Sequence, residues 1–426
     1  MRAAKMRVIT VLAGGAIGLA ACGSSGSAST GGGSSGTSAS SNTPVTIGLL
    51  APMTGTRADL GKGMQLGAQL AVDAINANGG VLGHHLNLVT QDTAADPADA
   101  VPAAQLEVNS DHVVAFVGPT SITAGVTIPI AQKAGIPDLM FGGGSEFDAF
   151  TNPYFFRMSP SDTEQAEAMM LYAHSKGWDK VAMAFGASSG SQSLIPGIQA
   201  SAKALGMQIV ANVTLTAGST SFRSEINQIF ANHPQVVVGQ FNNTTAGILF
   251  GEISQEGLSS TPWIGTNLWY TNTFFNSVGA SVASGPIYLA NSSSAGMLGA
   301  SYFLNLLKTK TGQTVPANGE TFMYDAVTTW ALGADQAGTW AYPKVRSGIL
   351  AASNPPGTMC GSYAQCYSLI KAKKDINWEG SASTVDFNKY DNVFGPFAIL
   401  HYDQSGNTTT VETLTATQIE NAFAGK

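Results

Sequence analysis

Charge is scarce in this 426-residue chain. Asp, Glu, Lys and Arg supply only 11% of it, against roughly 25% in ordinary globular domains. Ser, Thr, Asn and Gln carry much of the polarity instead. No basic run occurs anywhere, and 20 Lys and Arg face 27 Asp and Glu for a formal net charge of −7. Such a balance excludes nucleic acid and electrostatic attachment to anionic lipid as expected partners. Beyond the first 22 residues no segment offers the about 18 consecutive apolar residues that a membrane-spanning helix needs. The six histidines (His84, His85, His112, His174, His233 and His401) keep no ligand spacing with a carboxylate on a helix, so neither a metal nor another cofactor is expected. Cysteine is equally sparse, with three residues.

What the chain does have begins at its start. Arg2, Lys5 and Arg7 form a positive region ahead of a short apolar stretch over residues 8–20. Its length and flanks fit an export signal better than a membrane anchor. Leu19-Ala20-Ala21-Cys22 closes it and resembles the lipobox of bacterial lipoproteins, which implies that Cys22 carries a lipid. Residues 1–21 are then a signal peptide, and their removal makes the chain more acidic still. Residues 22–43 are almost wholly Gly, Ser, Ala and Thr, a composition that cannot bury apolar surface and stays a flexible tether. Its ends lie about 25 Å apart as a random coil. Cys360 and Cys366 stand in a loop of Gly, Ser and Tyr, where export favours a small disulfide. No His or carboxylate lies in that loop to make a metal site.

From Val45 onward short apolar runs alternate with helical stretches, as a parallel α/β fold requires. Strands are expected at residues 45–50, 86–89, 113–117 and 138–141, with helices at 96–109 and 123–133 between them. Met64, Gly67, Ala68, Ala71 and Ile75 share one helical face, and Gly79-Gly80 ends that helix. A second series follows, with strands at 181–185, 208–213, 236–239 and 263–265. Helices are expected at 295–310 and 319–337. Residues 342–370 are less regular.

Leu50-Ala51-Pro52-Met53-Thr54-Gly55, Ala71-Val72-Asp73-Ala74-Ile75-Asn76-Ala77-Asn78-Gly79-Gly80, Gln91-Asp92-Thr93, Val117-Gly118-Pro119-Thr120-Ser121, Ala134-Gly135-Ile136-Pro137 and Tyr154-Phe155-Phe156-Arg157 occur in this order over some 120 residues. Together they resemble the branched-chain amino-acid-binding (Leu/Ile/Val-type) family of ABC-transporter solute-binding proteins, in lipoprotein form. Beyond Gln165 the likeness is mainly in rhythm, with Tyr324-Asp325-Ala326-Val327 and Phe394-Gly395-Pro396 as landmarks. The resemblance implies an α/β type I periplasmic-binding fold of two doubly wound parallel-sheet lobes, joined by a hinge of three crossovers. Lobe one would take residues 44–161 and 286–398, and lobe two residues 162–285 and 399–426. It also implies a monomer outside the cytoplasmic membrane, binding a small molecule and serving a permease and its ATPase subunits.

Ligands of parallel sheets sit beyond the carboxyl ends of the strands, where helix N-termini offer free N–H groups. Ser121 follows such a strand and is also a good helix cap. In the resembled family this hydroxyl holds the ligand carboxylate, with Thr120 and Thr123 as alternatives of register. Ser145 lines up with a second such hydroxyl and Gly143 with a backbone contact. The run Gly142-Gly143-Gly144 lets backbone approach a ligand, while the Walker lysine is missing. Asp162 lines up with the acid that receives a ligand ammonium, and its alternative role is helix capping. Asn267 stands where amino-acid binders carry a Glu. Leu60, Asn242, Asn267 and Trp269 suggest amide hydrogen bonds and an aromatic wall. The ligand expected is an amino acid, an amide or an organic acid.

Two other readings come from the residues. Gly186-Ala187-Ser188-Ser189-Gly190 matches G-x-S-x-G after a strand, with His233 and His401 downstream, as a serine hydrolase requires. Small residues are so common here that chance supplies the match easily, and no enzyme activity is expected. A surface lipoprotein that senses rather than transports is the third possibility.

Overall fold

The computed structural model describes residues 43–423. The export signal, Cys22 and the tether through residue 42 lie outside the described residues. Among the described residues no helix is long and apolar enough to cross a membrane, and no group of His, Cys, Asp or Glu could hold a metal ion.

Two sheets organise the chain. The first contains β1 (Val45–Ala51), β2 (Leu86–Asp92), β3 (Phe116–Thr120), β4 (Asp138–Phe141) and β5 (Phe155–Arg157) in the order β2-β1-β3-β4-β5, every pair parallel. The second begins with β6 (Lys180–Gly186), β7 (Gln208–Leu215), β8 (Val236–Gln240), β9 (Trp263–Thr266) and β10 (Ile287–Ser292). A small parallel pair, β11 (Thr358–Cys360) and β12 (Ile376–Trp378), stands apart. The second sheet is then completed by β13 (Phe397–Tyr402) and β14 (Thr408–Leu414), in the order β14-β13-β10-β9-β8-β6-β7. These last two strands run antiparallel to their neighbours.

Both sheets are covered on both faces, which the strands show directly. Along β6, Val181, Met183 and Phe185 enter one core while Ala182 and Ala184 enter another. Along β1, Ile47, Leu49 and Ala51 face one core and Leu50 the opposite one. Side chains alternate across a pleat, so a strand apolar at every position must be buried twice. Helices follow most strands, including α1 (Ala58–Asn76), α2 (Pro97–Asn109), α3 (Ser121–Ala134) and α4 (Asp162–Ser175). The first ends as its glycines require: Gly80, at φ +75°, donates its N–H to Ile75 O at 3.1 Å. The helix expected at residue 295 starts later, at Ala300, because Gly296 takes φ +82° and Gly299 lies against the Gly380 backbone.

The helix Glu320–Ala337 is buried from Glu320 through Asp335 and forms the centre of the first lobe. Its carboxylate Asp325 accepts hydrogen bonds of 2.7–2.8 Å from Ser381 N, Ser381 Oγ and Ala382 N, fastening the returning chain. Against α1 it packs backbone to backbone, since a Cβ at Gly67 would overlap the Glu320 carbonyl. Gly67→Ala is therefore expected to cost about 1–3 kcal/mol. A lower urea midpoint at unchanged slope would report this, whereas an unchanged midpoint would mean the helices do not meet so closely. Cys360 and Cys366 are joined by a disulfide, with Cα atoms 5.3 Å apart.

The boundaries expected between the lobes need correction. The strand Ile287–Ser292 pairs with β9 and β13, so residues 286–292 belong to the second sheet and not to lobe one. The third boundary, set at 398/399, falls inside β13 and moves to Pro396, ahead of Phe397. The crossover expected near residue 285 therefore falls after β10, and Gly285-Pro286 is the turn that feeds this strand. The three crossings lie side by side: Ser293 donates to Pro396 O at 2.9 Å, Val393 to Arg157 O at 3.3 Å, and Gly395 touches Pro160.

Candidate functional site

The carboxyl ends of the strands meet around the start of α4. Its N-cap is Ser161, whose Oγ accepts from Thr163 N at 2.9 Å and Glu164 N at 3.2 Å. Capping is thus done by Ser161, and the Asp162 carboxylate is available for other work. Asp162 N donates to Gly143 O at 2.6 Å, joining α4 to the loop after β4. Its Oδ2 accepts the Ser193 hydroxyl at 2.5 Å. Burial pushes the Asp162 pKa up to about 6, against the Ser193 bond and the Arg157 charge, with Glu146 and Asp148 adding to the rise.

The glycine run after β4 is crowded rather than open. A Cβ at Gly142 would strike Ser121 Oγ, and one at Gly143 would strike Asp162 Oδ1. Thr120 occupies the N-cap position of α3, and its N–H donates to Thr123 Oγ1 at 3.1 Å. Ser121 is therefore released from capping, and its Oγ accepts from Gly144 N at 3.0 Å. Beneath this loop lies Arg157, only 1% exposed. Its Nη1 donates to Gly144 O at 3.1 Å and its Nη2 to Asp148 Oδ1 at 2.7 Å. Thr163 Oγ1 donates to the other oxygen of Asp148 at 2.6 Å, so the Arg157–Asp148 pair also grips α4. Ser145 opens the short turn Ser145–Phe147 that follows.

One turn further along α4, Gln165 Nε2 donates to Ala290 O at 2.8 Å and to Asn267 Oδ1 at 3.3 Å. Thr266 Oγ1 donates to Gln240 Oε1 at 2.6 Å, and Gln240 Nε2 to Gly190 O at 2.8 Å.

Ser121, Gly143, Ser145 and Asp162 thus share one neighbourhood, and Asn267 joins it through Gln165. Asn242 does not. It is exposed, and its side-chain oxygen caps the helix Asn243–Gln255 by accepting from Thr245 N at 2.9 Å. Trp269 is a correction. Its ring is wholly buried, stacked on Phe274 with centroids 5.1 Å apart, and its Nε1 donates to Phe241 O at 3.0 Å. It is core and walls no cleft.

Gln165, Ser193 and Gln240 were missed. Gln165 stands three residues after Asp162, on the same helical face, and Gln240 is the polar end of the otherwise apolar Val236-Val237-Val238-Gly239. Ser188 of the hydrolase-like motif donates to Ser191 Oγ at 3.0 Å. His233 precedes β8 and His401 pairs with Tyr288 near the start of β10. Both lie at the end of the sheet away from Ser188, so neither histidine reaches that hydroxyl.

A family model described as "Periplasmic binding protein" matches residues 44–411. The chain is 31% identical over 257 residues to the Leu/Ile/Val-binding protein BraC3 of Rhizobium johnstonii, covering 57% of this chain and 66% of that one. To an amino acid binding protein of Pseudomonas aeruginosa it is 30% identical, covering 51% and 59%. The chain thus spans less than two thirds of the length of each of these relatives. Among solved structures, LivJ of Streptococcus pneumoniae in complex with isoleucine superposes with a TM-score of 0.68 at 22% identity, over 88% of this chain and all of that one. A solute binding protein of R. palustris in complex with benzoate gives 0.67 at 19% identity, over 88% and 97%. These structures share the α/β fold of this chain. The match over nearly the whole described chain places it, by sequence and by architecture, in the periplasmic binding protein family.

Proposed function

We propose that the chain is a lipid-anchored extracytoplasmic solute-binding protein of an ABC importer, holding a small polar ligand between its lobes. The observation that carries this reading is the convergence of Ser121, Gly143, Ser145 and Asp162 at the strand ends beside the first crossing. Ser121 spends one lone pair on Gly144 N and keeps its hydrogen to donate. It stands at the N-terminus of the 14-residue α3, where unpaired N–H groups and the helix dipole favour an anion. A ligand carboxylate fits there, and the isoleucine and benzoate of the two neighbours are both carboxylates. Closure of the lobes removes water and strengthens such contacts. Cys22 supplies the anchor, and a permease with its ATPase subunits receives the ligand.

Unfolding of the purified protein against amino acids, amides, organic acids and sugars tests this. A ligand at about 100 times its Kd adds roughly 2.7 kcal/mol, a shift of several degrees. Ser121→Ala should weaken that ligand by about tenfold or more, as expected for a hydrogen bond to a charged group. No shift with any class, after refolding to strip carried ligand, would sink the proposal.

A further inference from the structure

Among the described residues the Asp162 carboxyl makes no ion pair and takes no N–H. The N–H groups that open α4 are engaged elsewhere. Asp162 N donates to Gly143 O, and Thr163 N and Glu164 N donate to Ser161 Oγ. The cation of this region, Arg157 on β5, pairs with Asp148 and bonds to Gly144 O. It acts on Asp162 only through space, as do the carboxylates of Glu146 and Asp148 in the loop after β4. Glu164, the next acid along α4, is buried near the same arginine. Residues 186–202, which bring Ser193 against Asp162, hold no charged side chain. Three acids and an arginine that is already paired therefore surround this carboxyl.

Its hydrogen-bond partner is short of hydrogens. Ser193 Oγ lies 2.5 Å from Asp162 Oδ2 and 2.9 Å from Gly190 O. A hydroxyl owns one hydrogen, while an ionised carboxylate and a carbonyl can only accept. With Asp162 ionised, one of the two contacts sets lone pair against lone pair. With a proton on Oδ2, Asp162 donates to Ser193, and Ser193 donates back along the chain to Gly190 O, a bond that serine commonly makes at a helix. Gly190 O has room for it, since Gln240 Nε2 takes only one of its two lone pairs. Every contact then has its hydrogen. The other oxygen, Oδ1, lies against Gly143 and takes no donor among the described residues. Burial favours the same neutral form and raises the pKa to about 6.

We infer that Asp162 is a neutral acid in the ligand-free protein, hydrogen-bonded through Ser193 to the Gly190 carbonyl, and that an ammonium on the ligand displaces its proton. The exchange balances. The O–H bond of Asp162 breaks, its proton leaves to solvent, and the carboxylate left behind pairs with the ammonium. The Ser193 hydrogen then turns to Oδ2, and Gly190 O keeps the Gln240 amide. A ligand without an amine meets a neutral carboxyl and leaves the proton in place. The ligand step rests on the binding reading above and deepens it, whereas the proton of the ligand-free protein does not depend on that reading.

The first test follows the carboxyl carbon resonance of Asp162 in the ligand-free protein against pH, assigned by its loss in Asp162→Asn. A midpoint of about 6 is expected, and one at or below the ordinary value of about 3.9 overturns the inference. The second is calorimetric titration in two buffers of different ionisation enthalpy. Alanine and phenylalanine are compared with pyruvate and phenylpyruvate, whose carboxylates stay ionised throughout. An amino acid that binds should release about one proton at about pH 5 and bind about tenfold tighter at about pH 7. A 2-oxo acid that binds should release none and gain nothing from the higher pH. Amino-acid binding without proton release overturns the inference, and this count needs no variant to fold. Where only 2-oxo acids bind, the carboxyl midpoint decides. Stabilisation by no compound in the wider panel sinks the binding reading and leaves the midpoint to decide the proton.

Discussion

Arg157→Met is expected to destabilise the protein by about 3–5 kcal/mol, because a buried pair broken from one side leaves the other charge uncompensated. The guanidinium is 1% exposed and bonded to Asp148 and to the Gly144 carbonyl. It also lowers the pKa values of Asp162 and Glu164, both of which burial raises. Without it three carboxylates lose their counter-charge, and the loop that carries Gly143 and Ser145 loses its floor. Arg157→Lys keeps the charge but cannot reach the carbonyl and the carboxylate together from a planar fork, so an intermediate loss is expected. Urea unfolding measures the stability, and titration of the ligand found in the panel measures the site. A loss below about 1 kcal/mol for Arg157→Met would place this arginine with ordinary surface pairs, against its burial here.

The same residues show how far the sequence could be read. Doubly buried strands announce themselves because an apolar run without alternation has no solvent face, and β1, β6 and β8 were legible on that ground. The placing of Ser121 and Asp162 at helix starts beyond strand ends was legible because a strand pattern precedes each and a helical one follows. Trp269 was misread because adjacency to a strand end places a residue in a loop without saying which way it points. Phe241, Phe250, Trp263 and Phe274 surround that ring, and only the fold assembles them. The bond from Gln165 to Asn267 spans 102 residues, beyond any local pattern. The strands β13 and β14 were lost for a further reason. Past Tyr342 the chain alternates two helices, a small parallel pair and a long return, so the strand-helix rhythm that guided the earlier assignment gives no cue.

Glu107→Gln is expected to raise stability, and to raise it more as pH increases. Glu107 lies in α2 with no exposure, and neither carboxyl oxygen has a partner among the described residues. Gly48 on β1 makes room for it, since a Cβ there would overlap Glu107 Oε2. Burial pushes its pKa up to about 9, and the negative charges of Asp111 and Asp138 add to the rise. In the unfolded chain a Glu titrates near about 4.3. Between those values the native state binds a proton that the unfolded state has released, so stability falls with rising pH. The stability is greatest below the unfolded pKa and is lost progressively as pH climbs towards the native one. At about pH 7 the cost is roughly 4 kcal/mol, about 1 kcal/mol of it already present at about pH 5, from 1.36 kcal/mol per unit. The amide does not titrate, so the variant should lie near its parent at about pH 4 and gain roughly 3 kcal/mol on it between about pH 5 and about pH 7. Asp138 contributes a slope of the same sign in both proteins, over a window that ends sooner. Burial raises its pKa to about 7, opposed by the Thr127 hydroxyl bond of 2.9 Å. Urea midpoints measured across this range test the point, and parallel curves for the two proteins would mean that Glu107 ionises in the folded state as easily as in water.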